Sequence, residues 1–289
     1  MNAISLAQKF VPVIDEIYKA QSCTQAIDSE SMDFTGTGEV KVLKVSTTGL
    51  GDYSRHHGYP KGDVSAAWET LKLAEERGKE ISVDRLDDEE TLSKTFGSVV
   101  GSFMRTHVTP EVDAYRFAKY AGTSGIGKTD GGALTKDTVI EAVDEAVAYM
   151  DKKEVPTESR VLFVSSDIKK PLSQALNRQW GSDDKVNTTL SGYNDMPIIY
   201  VPASRFYEGI DLKDGETEWG YDKRVGFKDI NFLIAERSAV AQVAKFALPK
   251  IFDPDTNQEK DAWKFQFRLY HDAFVYDNKK AGIFVNLGA

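Results

Sequence analysis

Residues 86–122 read LDDEETLSKTFGSVVGSFMRTHVTPEVDAYRFAKYAG. Apolar side chains fall at Leu92, Phe96, Val99, Val100, Phe103, Met104 and Val108, and steps of three and four residues predict one face of a long amphipathic helix. Asp87, Asp88, Glu89 and Glu90 put negative charge where the helix dipole favours it, in the first turn. Thr109-Pro110-Glu111 predicts a break and a restart: an N-cap, a proline at the first helical position and an acid beside it. The second piece carries Val112, Tyr115, Phe117, Ala118 and Tyr120, and Gly122 is placed to close it. Roughly 20 residues at ~1.5 Å each make the first piece a rod of about 30 Å. Periodicity alone fits the central core helix of any globular protein.

Composition narrows the class. The chain has 289 residues, 41% hydrophobic and 28% charged, which suffices for one large or two modest domains. A net charge of -9 argues against general nucleic-acid binding, which needs clustered Lys and Arg to neutralise phosphates. Cys23 is the single cysteine, so neither an intrachain disulfide nor a multi-cysteine metal site is possible. No apolar run approaches the ~18–20 residues of a membrane span. Lys9, Asp15 and Glu16 interrupt the apolar character of the N-terminus, unlike a secretory signal. Folding in a reducing cytoplasm is the expectation.

Residues 1–20 carry Ile4, Ala7, Phe10, Val11, Ile14, Ile17 and Tyr18 at helical spacing, with Pro12 starting or kinking the helix. Such a helix docks on its own core or forms an arm for a neighbouring subunit. Residues 39–45 alternate as a strand, a Gly-rich connection follows, and residues 68–74 return, which predicts a long hairpin. A two-stranded hairpin is marginal alone in water, so it must lie on something. His56 and His57 are adjacent near the tip, and no spaced Asp/Glu/His set joins them as metal ligands.

Gly122-Thr123-Ser124-Gly125-Ile126-Gly127-Lys128-Thr129 fits the P-loop pattern G-x-x-x-x-G-K-[ST]. There, backbone N–H groups would cradle phosphates, with Lys128 on the terminal phosphates and Thr129 on Mg²⁺, and Glu236 or Asp167 could assist the metal. That chemistry needs a strand entering and a helix leaving. Here a helix enters and Asp130-Gly131-Gly132 follows, so the segment reads as a flexible crossover into the next domain.

Beyond it, residues 135–150 predict an amphipathic helix, with Thr138 and Glu141 set as a capping box. Residues 160–164, 196–201 and 230–235 read as buried strands, and 171–180 as a helix. Residues 207–228 read as a polar loop or insertion, and 239–251 as a lead-out. Residues 253–257 are turn chemistry. Residues 262–276 then form one or two long strands, 278–282 a turn, and 283–285 a last strand. Helices alternating with short strands imply a mixed α/β domain.

Several runs together resemble the major capsid proteins of tailed bacteriophages with the HK97 fold. They are Arg77-Gly78 with Ile81-Ser82-Val83-Asp84, the acidic start Asp87-Asp88-Glu89-Glu90-Thr91, Phe103-Met104-Arg105, and Pro110-Glu111-Val112-Asp113-Ala114-Tyr115-Arg116. Val201-Pro202-Ala203-Ser204-Arg205-Phe206 and Arg268-Leu269-Tyr270-His271-Asp272 with Asp277 to Ile283 add to it. The resemblance implies an α+β fold: an N-terminal arm (1–38), an extended hairpin or E-loop (39–76), a peripheral domain with a long spine helix (77–122), a mixed α/β axial domain (123–250), and strands returning to the peripheral domain (251–289). It implies a shell subunit that assembles with itself into pentamers and hexamers around double-stranded DNA, without sequence-specific contacts. Portal, decoration and scaffolding proteins are the implied partners, the virion the implied location, and the bacterial host cytoplasm the place of assembly. HK97 itself begins with a scaffolding region that is cleaved after assembly. This chain begins with the arm, which implies a separate scaffold or none. An encapsulin-like shell and a P-loop NTPase are the alternatives.

No enzyme constellation accompanies these motifs. There is no G-x-S-x-G and no H-E-x-x-H, and His271-Asp272, as sequence neighbours, cannot readily orient one another as a triad pair does. No catalytic, cofactor-binding or metal residue is assigned, no cofactor is expected, and no membrane is implied.

Overall fold

A computed structural model describes residues 22–28, 39–56, 58–59, 61–85, 95–175, 191–246 and 250–288. The expected arm helix at 1–20, the acidic helix start at 87–90 and His57 lie outside the described residues.

The central helix is continuous where a break was expected. α1 (Thr95–Phe103) passes through a wide π turn (Met104–Val108) into α2 (Thr109–Gly122). Val108 and Thr109 both keep right-handed helical angles, so Thr109 is no N-cap. Its backbone N–H and its Oγ1 both donate to the Met104 carbonyl, five residues back. Pro110 has no N–H, and its ring would press on the carbonyl one helical turn earlier. Widening the preceding turn accommodates that demand without ending the helix. At ~1.5 Å per residue the described rod is about 42 Å long. Its end is also closed differently. Gly122 is the last helical residue, and Thr123 caps it through its N–H to Tyr120 and its Oγ1 to Lys119.

The first half of the rod packs on a four-stranded antiparallel sheet. β3 (Glu75–Asp84) lies along one side of β13 (Ala262–Val275), and β11 (Val240–Phe246) and β12 (Lys250–Phe252) share the other side. Val100, Met104, Val108 and Val112 recur down one helical stripe and are buried against Ile251, Phe265, Phe267 and Leu269. Residues 262–276 thus form one strand, and the expected lead-out at 239–251 is two paired strands. Gly78 sits tight under β13, since a Cβ there would lie 2.9 Å from the Phe267 carbonyl oxygen.

The second half packs on a six-stranded mixed sheet. Its order is β4 (Gly127–Asp130), β14 (Ile283–Leu287), β10 (Ile230–Glu236), β5 (Arg160–Ser165), β7 (Met196–Val201), β6 (Gly192–Tyr193). β10 and β5 are buried on both faces, which explains their near-continuous apolar runs. One face takes Phe117, Tyr120 and Ala121 of α2, and the other takes α3 (Val139–Lys152) and α4 (Lys169–Ala175). The last strand lies between β10 and β4, where Val285 and Leu287 join the core. The expected capping box at α3 is absent: the Thr138 Oγ1 accepts from the Thr135 N–H instead. Residues 207–228 are not all loop, because β8 (Ile210–Leu212) and β9 (Tyr221–Lys223) pair within them.

The expected hairpin forms from β1 (Glu39–Thr47) and β2 (Val64–Lys72), its return strand starting earlier than the sequence suggested. Among the described residues these two strands pair only with each other.

Candidate assembly site

The motif on α2 is a polar hub. Successive positions of a helix point in different directions, so Glu111 addresses β3, Tyr115 addresses β13, and Asp113 and Arg116 both address residues 22–24. Glu111 accepts from Arg77 of β3 at 2.7 and 3.3 Å, a bidentate pair, and the third Arg77 nitrogen donates to the Lys213 carbonyl at 2.7 Å. Tyr115 donates to Asp272 of β13 at 3.0 Å. Burial, then the nearby Asp272 charge, pushes the Tyr115 phenol well above its ordinary range, so it stays a donor.

Asp113 is fully buried, and a lone carboxylate there would be costly. It accepts from the Ser22 Oγ at 2.7 Å, the Cys23 N–H at 2.9 Å and the Thr24 Oγ1 at 3.0 Å, with Arg205 at 3.4 Å. Arg116 donates to the Thr24 Oγ1 at 2.8 Å, Gln242 to the Thr24 carbonyl at 3.1 Å, and Arg237 to the Ala26 carbonyl. Ile27 enters the core beside Phe117. The short 3₁₀ turn Cys23–Ile27 is therefore strapped across the middle of the rod. Burial, then the Asp113 charge, raises the Cys23 thiol to about 11, so it stays protonated and unreactive.

The motifs that stand apart in sequence meet here. Arg77 reaches Glu111 and Arg205 reaches Asp113. Phe206 stacks edge-on against Phe117 with ring centroids 4.8 Å apart. The roles of Ser22, Thr24 and Asp272 carried no local signal, because each is defined only by the distant partner it meets.

The hairpin leaves a different surface. Thr48 donates to the Asp63 carbonyl at 3.2 Å, and Ser54 and Gly58 bridge the tip, with Gly58 at φ 79°. Around that tip Leu50, Tyr53, Tyr59 and Val64 are exposed, and the Tyr53 and Tyr59 rings meet at a tilt, centroids 5.0 Å apart. Exposed apolar side chains clustered at a hairpin tip mark a contact surface.

The P-loop pattern lacks the P-loop geometry. A helix ends at Gly122 and a strand, β4, begins at Gly127. Hydrogen bonding to β14 fixes Gly127–Asp130 as a sheet edge, so it is not the flexible crossover expected. Lys128 pairs with Glu208. Glu236 is occupied too, accepting from Ser159 at 2.6 Å and from the Ser238 hydroxyl at 2.7 Å. Burial would raise that carboxyl, but these hydrogen bonds outweigh it and hold it below its ordinary value. His271 and Asp272 do not pair: Asp272 accepts from Tyr115, while both His271 ring nitrogens are buried with no hydrogen-bond partner among the described residues. Among the described residues no three His, Cys, Asp or Glu side chains gather to hold a metal, and no helix is long and apolar enough to cross a membrane.

No family model and no curated protein matches the chain. Solved structures do. A chain from Gordonia phage Cozz aligns with a TM-score of 0.62 at 15% identity, covering 93% of this chain and 87% of that one. The capsid structure of the cyanophage P-SCSP1u aligns at 0.58 and 14%, covering 89% and 85%. A virus-like particle from Pyrococcus furiosus aligns at 0.58 and 10%, covering 96% and 98%. These likenesses run nearly end to end, and the chain has the same fold, α+β and HK97-like.

Proposed function

We propose that this chain is the structural subunit of an icosahedral head shell of a tailed phage or prophage, built from pentamers and hexamers of itself. The observation that carries the reading is the hairpin. It has no sheet partner among the described residues, yet it exposes Leu50, Tyr53, Tyr59 and Val64 at its tip. A neighbouring copy would supply the surface that the hairpin's own chain does not. Repeated around a closed symmetric assembly, contacts of about 1 kcal/mol each sum to a stable shell.

On this reading residues 1–38 are an arm, 39–76 the inter-subunit hairpin, 77–122 the peripheral domain with its spine, 123–250 the axial domain, and 251–289 the closing strands. β14 ties the last segment into the axial sheet. The net charge of -9 suits a lining that does not adhere to the double-stranded DNA it encloses. The chain carries out no chemistry. Its partners are further copies, with scaffolding, portal and decoration proteins as the second tier, and it assembles in the bacterial cytoplasm to become part of the virion. The second reading is an encapsulin-like compartment that encloses protein; the likeness to a virus-like particle from Pyrococcus furiosus is one of fold and does not favour it over the first.

Light scattering and negative-stain microscopy of the purified chain test the proposal. Closed shells or five- and six-membered rings are expected, with DNA or protein inside separating the two readings. A chain that stays a 32.1 kDa monomer even with the scaffolding protein expressed beside it would overturn both.

A further inference from the structure

We propose that Asp272 is a positioning residue that sets the pose of the β1–β2 hairpin against the body of the subunit. The proposal rests on the hairpin being an inter-subunit contact, and it names what aims that contact. The hairpin joins the body through Leu73 and Ala74, between the end of β2 at Lys72 and the start of β3 at Glu75. The Ala74 N–H donates to the Asp272 Oδ2 at 2.9 Å. The other carboxylate oxygen accepts from the Tyr115 hydroxyl at 3.0 Å and the Ala273 N–H at 2.7 Å, and the Lys119 ammonium stands 3.7 Å away. Asp272 is itself buried in the middle of a sheet. Its carboxylate is thus held by the spine helix and by its own strand, and it presents one oxygen to the root of the hairpin.

A charge-assisted hydrogen bond is directional and roughly twice as strong as a neutral one. Placed two residues past the end of β2, it fixes where the nine-residue strand starts its path. At ~3.3 Å per residue that strand is about 30 Å long, so a 10° change at the root moves the tip by about 5 Å. Beside it, Leu73 packs with Val243, Phe274 and Tyr276, which limits sideways motion but donates no hydrogen bond. The tip carries the exposed Leu50 and Tyr59, and a displacement of that size would take them off a fixed neighbouring surface.

The test is a pair of distances by double electron–electron resonance, on the full-length chain kept below its assembly concentration. Cys23→Ser removes the native thiol. Spin labels at Leu50→Cys and Val225→Cys report tip to body, and labels at Asp167→Cys and Val225→Cys report body alone. Asp272→Asn places an amide against at least one of the N–H groups that the carboxylate now accepts from. Ala74→Pro removes the hairpin-side donor, leaves Asp272 with its other partners and also fixes φ at residue 74, so a tip that stays in place in this variant overturns the proposal even if Asp272→Asn does not fold.

Each variant is expected to raise the population of displaced tip distances about tenfold, the change that one lost charge-assisted hydrogen bond produces, and to leave the body pair as in the parent. Tip distances unchanged in both variants would overturn the proposal, and so would equal broadening of the body pair, which would make Asp272 a brace of the core. Shell formation by the parent chain is scored separately. Its failure removes the assembly reading and leaves the distance result standing.

Discussion

Replacing His271 by leucine should stabilise the protein, and more so as the pH falls. His271 lies wholly buried on β13, edge-on to Tyr115 at 5.0 Å. Burial, and then the positive charges of Arg116, Arg77 and Lys119, hold its pKa down to about 3, against an ordinary 6.5. Between those two values the unfolded chain binds a proton that the folded chain refuses. The stability contribution is therefore intact above pH 6.5 and is lost as the pH falls toward 3, at up to about 1.4 kcal/mol per pH unit. From pH 8 to pH 5 the loss is about 2 kcal/mol. Among the described residues neither ring nitrogen has a hydrogen-bond partner, which adds a pH-independent cost of about 1–3 kcal/mol for the buried N–H. Leucine has nearly the same volume and removes both costs. Urea unfolding of parent and variant at pH 8, 7, 6 and 5 reads the difference directly. Carboxylates held low in both chains, such as Glu236 and Asp253, cancel in the subtraction. The variant should be the more stable at pH 8, and the gap should widen by about 2 kcal/mol at pH 5. A gap that stays constant across the series would refute the reasoning.

Four further outcomes are expected. Asp113→Ala removes the acceptor that holds Ser22, Cys23, Thr24 and Arg205 and so releases the strap on residues 22–28; it should cost about 3 kcal/mol and expose the Ala26–Ile27 bond to thermolysin, and an unchanged digestion pattern would contradict the hub. Gly78→Ala puts a methyl against the Phe267 carbonyl and should cost about 1–3 kcal/mol in urea unfolding, whereas a neutral substitution would mean that β3 and β13 have room to separate. Lys128→Ala breaks only the pair with Glu208, and isothermal titration should find no ATP or GTP binding in parent or variant. Nucleotide binding by the parent that this substitution removes would restore the P-loop reading. Changing Leu50, Tyr53 and Tyr59 together to serine should leave the unfolding midpoint within about 0.5 kcal/mol of the parent but suppress shell formation; shells of normal yield would count against the hairpin tip as a contact.

Much of this architecture is written locally in the chain. The stripe at Val100, Met104, Val108 and Val112, the apolar run at Arg160–Ser165 and the alternation in the hairpin each follow from a period that side-chain direction imposes on a helix or strand. The resemblance placed Glu111 and Asp113 in one run and Arg205 in another, and did not pair them. The P-loop pattern, by contrast, matched in letters only, because its function lies in the order strand, loop, helix, and here that order is reversed.

What the sequence determined by itself was the helical rod, most of the strands and the resemblance that joins them, since propensity, periodicity and turn chemistry act over a few residues. The tertiary structure alone decided that the rod runs unbroken through Pro110, that β14 enters the six-stranded sheet, and that Asp272 bonds to the root of the hairpin. Each of these depends on partners far away in sequence: Tyr115 and Asp272 lie 157 residues apart, and Ala74 and Asp272 198. A buried carboxylate or a strand edge takes whichever partner the fold delivers, and no local rule names that partner in advance.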